Sequence, residues 1–267
     1  MAIITLTTDY GQADHYVASV KGKILSEVPE ARIVDITHDV APFDPNEAAF
    51  HLRNAFPHFP KGTVHMIGVN EHLTNEIPHK IARYAGQYFI AADGGVFSLI
   101  FEKEPDAVYE INLPSDSDVL TFPLLHILTK AACHILRGGT PEVIAKRTDA
   151  IREVTRLRPM VDNDSIRGMV VYIDRFGNLI TNIEKSLFKE VGKGRDFKIH
   201  LRTDKHMIRK ISSHYQDVID GETLALFNTS GYLEIAINGG SQESGGGADL
   251  LFGLKKGDLI LCIFNDH

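Results

Sequence analysis

The feature that most constrains the fold is a strand that stops at a carboxylate and turns on a glycine into a helix. Ile3 to Leu6 is an apolar run, Thr7-Thr8-Asp9-Tyr10-Gly11 closes it, and His15 to Leu25 reads as helix. This order puts Asp9 at the C-terminal edge of a sheet, where open α/β sheets bind their ligands. A carboxylate there accepts two hydrogen bonds at once, as the paired hydroxyls of a ribose offer. The plainer alternative is a turn carboxylate bonded to its own backbone. Asp14, just before the helix, is equally placed to cap it.

Strand-like and helix-like segments alternate up to about residue 140. Arg32–Thr37, Thr63–Val69, Tyr88–Ala92 and Ala107–Leu113 read as further strands. Glu47–Phe56, with Asn46 as cap, and Phe122–Leu136 read as helices. Strands separated by helices imply a parallel or mixed sheet with helices on both faces. Near residue 145 the pattern changes. Six short β-like segments follow a charged, irregular stretch: Ile166–Asp174, Leu179–Ile183, Phe197–Leu201, Thr223–Phe227, Tyr232–Ile237 and Asp258–Ile263. They suggest a small all-β barrel or sandwich. The expected division is an α/β N-terminal domain over residues 1–145, a linker over 146–165 and a β domain over 166–267.

A formal charge of −7 argues against a general nucleic-acid binder. Cys133 and Cys262 lie far apart in apolar surroundings, which suits buried free thiols in a reducing compartment. No basic leader with a long apolar segment and no membrane span is legible, so a cytoplasmic chain with no membrane partner is expected. No P-loop and no GxGxxG follows the first strand. Histidines 65, 72, 79, 126 and 134 lack the ligand spacing of a zinc site, and no metal or cofactor is expected. No GxSxG motif is present, and neither cysteine sits beside a base. Asp116 and Asp118 read as a solvated loop.

The second informative stretch is Asp174-Arg-Phe-Gly-Asn-Leu-Ile-Thr-Asn182. Turn chemistry alone makes Phe-Gly-Asn a hairpin. As a ligand loop, Phe176 would stack on a flat ring while Asp174 and Asn178 read polar edges.

These stretches together resemble one family, the S-adenosylmethionine hydroxide adenosyltransferases, which also contain the fluorinases and chlorinases. The resemblance rests on Leu6–Gly11 with Asp14, Val20-Lys-Gly22, Ile33–His38, Pro42-Phe43, Gly62-Thr-Val64, Asp174–Ile183, Gly231–Asn238 and Gly257-Asp258. It implies an α/β N-terminal domain, a β-barrel C-terminal domain and a homotrimer. The ligand site is then expected between the N-terminal domain of one subunit and the C-terminal domain of the next. By position, Asp9 corresponds to the carboxylate on the ribose hydroxyls, with Asp14 beside it. Phe43 and Phe122 correspond to pocket walls, and Asp174 to the acid on the methionine amino group. Phe176 and Asn178 fall where the family contacts adenine, and Thr229 and Ser230 near the methionine end.

The sequence also departs from this pattern. Hydroxide-using members surround the attacking water with an aspartate, an arginine and a histidine. Here Val69-Asn-Glu-His-Leu-Thr74 replaces the aspartate run, so Asn70 stands for the acid. No arginine occurs between Arg53 and Arg83, and Pro123 follows Phe122. The small hydroxyl residue of fluorinases, two positions past Phe122, is Leu124. The expected activity is attack of water on S-adenosylmethionine to give adenosine and L-methionine, with a rearranged water site. Asn70 would orient the water; Glu71, His72 or His126 would serve as base, His72 first. A silent adenosyl-binding protein, or an enzyme of another adenosine-like substrate, is the alternative.

Overall fold

The computed structural model describes residues 2–72, 74, 76–113, 121–201, 207–241 and 245–265. Asp116 and Asp118 therefore lie outside the described residues. The chain forms two compact units, Met1–Arg156 and Leu157–His267.

The first unit runs β1 (Ile3–Thr8), α1 (Tyr16–Glu27), β2 (Arg32–Thr37), α2 (Pro45–Ala55), β3 (Val64–Gly68), β4 (His79–Tyr84), β5 (Gln87–Ala92), α3 (Val96–Ile100), β6 (Ala107–Ile111), α4 (Thr129–Leu136) and β7 (Ala145–Thr148). Its seven strands form one sheet in the order β2-β1-β3-β5-β4-β6-β7. Strands β2, β1, β3 and β5 are parallel; β4, β6 and β7 extend the sheet through antiparallel pairs. The sheet is thus mixed. Alternation along β1 and β3 explains the two covered faces. Ile4, Leu6, Val64 and Met66 pack with Val20, Ile24, Leu128 and Ala132, so α1 and α4 cover one side. Ile67, Phe89 and Ala91 pack with Ala48, Leu52 and Phe97, so α2 and α3 cover the other.

Several local expectations shift. Asp44, not Asn46, caps α2: its carboxylate accepts the Asn46 amide at 2.9 Å and the Glu47 amide at 3.3 Å, and Pro45 fills the first helical position. Asp14 does not cap α1, because His15 holds that position without a side-chain bond. The helix expected from Phe122 opens as a π turn over Leu124–Leu128 before becoming regular α4. Residues 145–148, within or beside the stretch read as linker, form the edge strand β7. Strand β4 carries His79, Lys80 and Arg83 between short apolar residues, so no alternating pattern announced it. Its Lys80 is buried against Asp93 at 2.8 Å, and both tie down residues 150 and 152 through the Ala150 carbonyl and the Arg152 amide.

The second unit contains β8 (Met160–Val161), β9 (Ser165–Ile173), β10 (Leu179–Glu184), α5 (Lys185–Gly192), β11 (Phe197–His200), β12 (Met207–Ile208), β13 (Ile211–Ser212), β14 (Thr223–Phe227), β15 (Tyr232–Ile237), α6 (Ala248–Phe252) and β16 (Leu259–Phe264). Nine strands make a barrel-like sheet around Ile166, Leu179, Ile199, Leu233 and Ile260. The unit is not all-β. Helix α5 buries Phe188 and Val191, and α6 buries Ala248 and Phe252. Both helices are short runs between glycines and charges, too brief to show a helical period in the sequence. Cys133 and Cys262 are free and buried. No helix among the described residues is long and apolar enough to cross a membrane.

Candidate active site

The chain leaves β1 on one side to form β2 and returns on the other side to form β3. The β1 and β3 ends therefore flank the point where the strand order reverses, the ligand crevice of open α/β sheets. Both ends are built by short-range constraints. Thr8 Oγ1 lies 2.8 Å from His38 Nδ1, and His38 Nε2 lies 3.1 Å from Asp35 Oδ1. Asp35 also receives Lys21 Nζ at 2.5 Å. Burial works against ionisation of Asp35, but the Lys21 and His38 hydrogen bonds outweigh it and hold the carboxyl below its usual range. The Gly11 amide donates to the His38 carbonyl at 2.7 Å, with Gly11 at φ +66° making the turn.

Asp9 follows directly. Its Oδ2 accepts the Phe43 amide at 2.9 Å. Phe43 has φ +62°, a conformation that a bulky L residue rarely adopts. Its ring is 66 % exposed, so the strain is not repaid by burying the side chain. A strained residue of this kind, held by a carboxylate at a strand end, is characteristic of a ligand clamp.

At the end of β3 the chain comes close to the π turn. A Cβ on Gly68 would lie 2.6 Å from Leu124 Cδ2 and 3.2 Å from Thr8 Cγ2, so any larger residue would displace the Leu124 side chain. Asn70 follows with φ +48° and is exposed. Asparagine tolerates this left-handed geometry better than most residues. Glu71 turns the opposite way and is 6 % exposed. Tyr10 donates its hydroxyl to Glu71 Oε1. Burial pushes the Glu71 carboxyl up to about 7, and the charge of Asp9 adds to this; the Tyr10 hydroxyl and the Leu124 amide oppose it. Glu71 Oε2 is buried without a hydrogen-bond partner among the described residues. His79 Nε2 donates to the Glu71 backbone carbonyl at 2.8 Å, and burial keeps that imidazole below its usual pKa, hence neutral. Tyr10 and Tyr16 meet the Phe122 ring edge-on at 5.6 and 5.4 Å, forming an aromatic wall beside the acid.

The second unit carries its own constellation. Asp174 Oδ1 accepts the Phe176 and Asn178 amides, each at 2.9 Å, and Oδ2 accepts Asn178 Nδ2 at 3.0 Å. The loop is thus a closed buckle with Asn178 buried and the Phe176 ring 59 % exposed. Gly177 is required at its centre. It has φ +76°, and an added Cβ would meet Asp249 Oδ1 at 2.3 Å. Thr229 and Ser230 are exposed in the turn between β14 and β15, where Asn228 Oδ1 accepts the Ser230 amide at 3.1 Å. Asn228 and Tyr215 also hydrogen-bond the buried Glu234. Burial and the charge of Asp174 raise the Glu234 carboxyl, so two acids stand near one another here.

The structure therefore joins Asp9 to Phe43, and Phe122 to Tyr10 and Tyr16, while Asn70 is exposed and precedes Glu71 with no such contact among the described residues. It joins Asp174, Phe176 and Asn178 in one loop. Asp14 and His72 are exposed, and neither joins these contacts. Glu71 stands out instead of His72. The Tyr10 partnership that singles it out spans 61 residues of sequence and leaves no local pattern.

The sequence model of the SAM hydroxide adenosyltransferase N-terminal domain matches residues 4–145, and that of the C-terminal domain matches residues 168–261. The chain belongs to the SAM hydroxide adenosyltransferase family. Among SAM hydroxide adenosyltransferase relatives, it is similar to the (R)-S-adenosyl-L-methionine hydrolase of Methanocaldococcus jannaschii, at 30 % identity over 246 residues and 88 % of each chain. The enzyme of the same name from Thermus thermophilus is 28 % identical, covering 96 % of this chain and 98 % of its own. A fluorinase of Nocardia brasiliensis is 26 % identical over 90 % of this chain and 91 % of its own. The crystal structure of an uncharacterized conserved protein from Thermotoga maritima superposes with a TM-score of 0.85 at 29 % identity, covering 98 % of this chain and 99 % of that one.

Proposed function

We propose that this chain is an S-adenosylmethionine hydrolase: water attacks C5′ of the substrate, and adenosine and L-methionine leave. The observation that carries the reading is Asp9, fixed through Phe43 at the strand-order reversal. Its Oδ1 takes no hydrogen bond from any described residue and is free to accept from a ribose diol. Phe43 and Phe122 wall the sugar, with Asp14 beside it. On the second unit, Phe176 stacks on adenine while Asn178 reads its edge, and Asp174 faces the methionine amino group near Thr229 and Ser230. Family membership over both units and the names of the relatives support this assignment.

The leaving methionine departs as a neutral thioether, so no general acid is needed. The chain's task is to hold C5′ and water in line and to strip water from the nucleophile. Asn70 orients the water by hydrogen bonding; it cannot take its proton. The reading is tested by incubating the purified chain with S-adenosylmethionine, with and without chloride, and separating the products by chromatography with mass detection. Adenosine and methionine above the no-protein control are expected. Intact substrate contradicts hydrolysis, and a chlorinated nucleoside contradicts water as the nucleophile. We further propose a homotrimer, as the resemblance implies, for which light scattering should give the mass of three chains; a monomer contradicts it.

A further inference from the structure

Resting on the hydrolase reading, we propose that Glu71 is the catalytic base of the rearranged water site, binding the attacking water at Oε2 while Tyr10 holds Oε1. Three independent observations lead to it. The Oε2 atom belongs to a carboxylate more than nine-tenths buried, yet no described residue bonds it. A buried polar atom left unpaired is costly, and an ordered water is its ordinary partner. The Glu71 carboxyl follows the strand-order reversal and is near enough to Asp9 to feel its charge, where a sugar held by Asp9 would bring C5′. Finally, the backbone of Glu71 is clamped by His79 from β4, and its side chain by Tyr10, so the carboxylate cannot swing away.

The replacement of the family's aspartate is then compensated by the next residue. Asn70 takes the exposed left-handed position, and Glu71 turns into the crevice behind it. In the step, the water oxygen forms a bond to C5′ and the C5′–S bond breaks with its electron pair going to sulfur. The water proton passes to Glu71, which later returns it to solvent. The titratable groups facing Glu71 are Tyr10 and Asp9 from the loop after β1 and His79 from β4. His79 is kept neutral by burial, and Tyr10 is pushed above its ordinary value, so Glu71 is the group that titrates near neutrality.

The test is the pH dependence of adenosine release by the parent chain, Glu71→Gln and Tyr10→Phe, with calorimetric binding of S-adenosylmethionine as the control for an intact site. The parent rate should rise with pH through about 7 and level off, as the carboxyl ionises. Glu71→Gln should retain binding and lose at least about 100-fold in rate, the usual worth of a general base. Tyr10→Phe should shift the inflection upward, because its hydroxyl holds the carboxyl down. A Glu71→Gln rate and pH profile equal to the parent's would overturn the base assignment while leaving the hydrolase reading intact. Absence of adenosine from the parent at every pH would overturn both. If Glu71→Gln fails to bind, Tyr10→Phe decides: an unmoved inflection rejects the proposal, and an upward shift supports it.

Discussion

Taking the Glu71 carboxyl out of water raises its pKa from 4.5 to about 7, so the folded chain holds that proton more tightly than the unfolded chain does. The contribution is fully present below pH 4.5 and is lost as pH rises through about 7. At 1.36 kcal/mol per unit, the loss amounts to about 3 kcal/mol between pH 4.5 and 8. Glu71→Gln does not titrate, so its melting temperature measured against the parent's should gain between pH 5 and 7 and level off toward pH 8. Parallel melting curves for the two proteins would show that Glu71 is not the buried acid described here. Among residues, the place of Asp9 at the end of β1 was legible because an apolar strand and the glycine turn after it are local patterns. Glu71 was not: its neighbours Asn70 and His72 are polar loop residues too, and only the fold reveals which of the three is buried.

At the scale of elements, the apolar alternation of β1 and β3 commits both faces to packing and leaves their ends for the proposed chemistry. Long apolar strands and the helix α1 could be read from period alone. Strand β4 could not, since its buried Lys80 is satisfied by distant partners, Asp93 on the loop after β5 and the Ala150 carbonyl. The π turn at Leu124 was equally hidden. Its Leu124 side chain comes close to Gly68 at the end of β3, and that approach is a property of two distant segments. The Asp174 loop was read both as a hairpin turn and as a ligand loop. Its hydrogen bonds show the turn chemistry directly, and the same bonds leave the Phe176 ring exposed for the second role. The helices α5 and α6 escaped the all-β expectation because eight and five residues give too little period to see.

For the molecule as a whole, each unit has its own core, and each bears half of the residues that the proposed reaction needs. The mixed sheet and the barrel-like sheet could be anticipated from the change of pattern near residue 145, although the edge strand β7 takes residues 145–148 into the first sheet. What joins the two halves into one account is a single bond-breaking event, attack of water at C5′ with methionine leaving. The measurement that tests it most directly is turnover of S-adenosylmethionine in water enriched in oxygen-18, with mass analysis of both products. The account predicts one heavy oxygen in adenosine, at its 5′-hydroxyl, and none in methionine. Adenosine carrying no label, or heavy oxygen in the methionine instead, would contradict it.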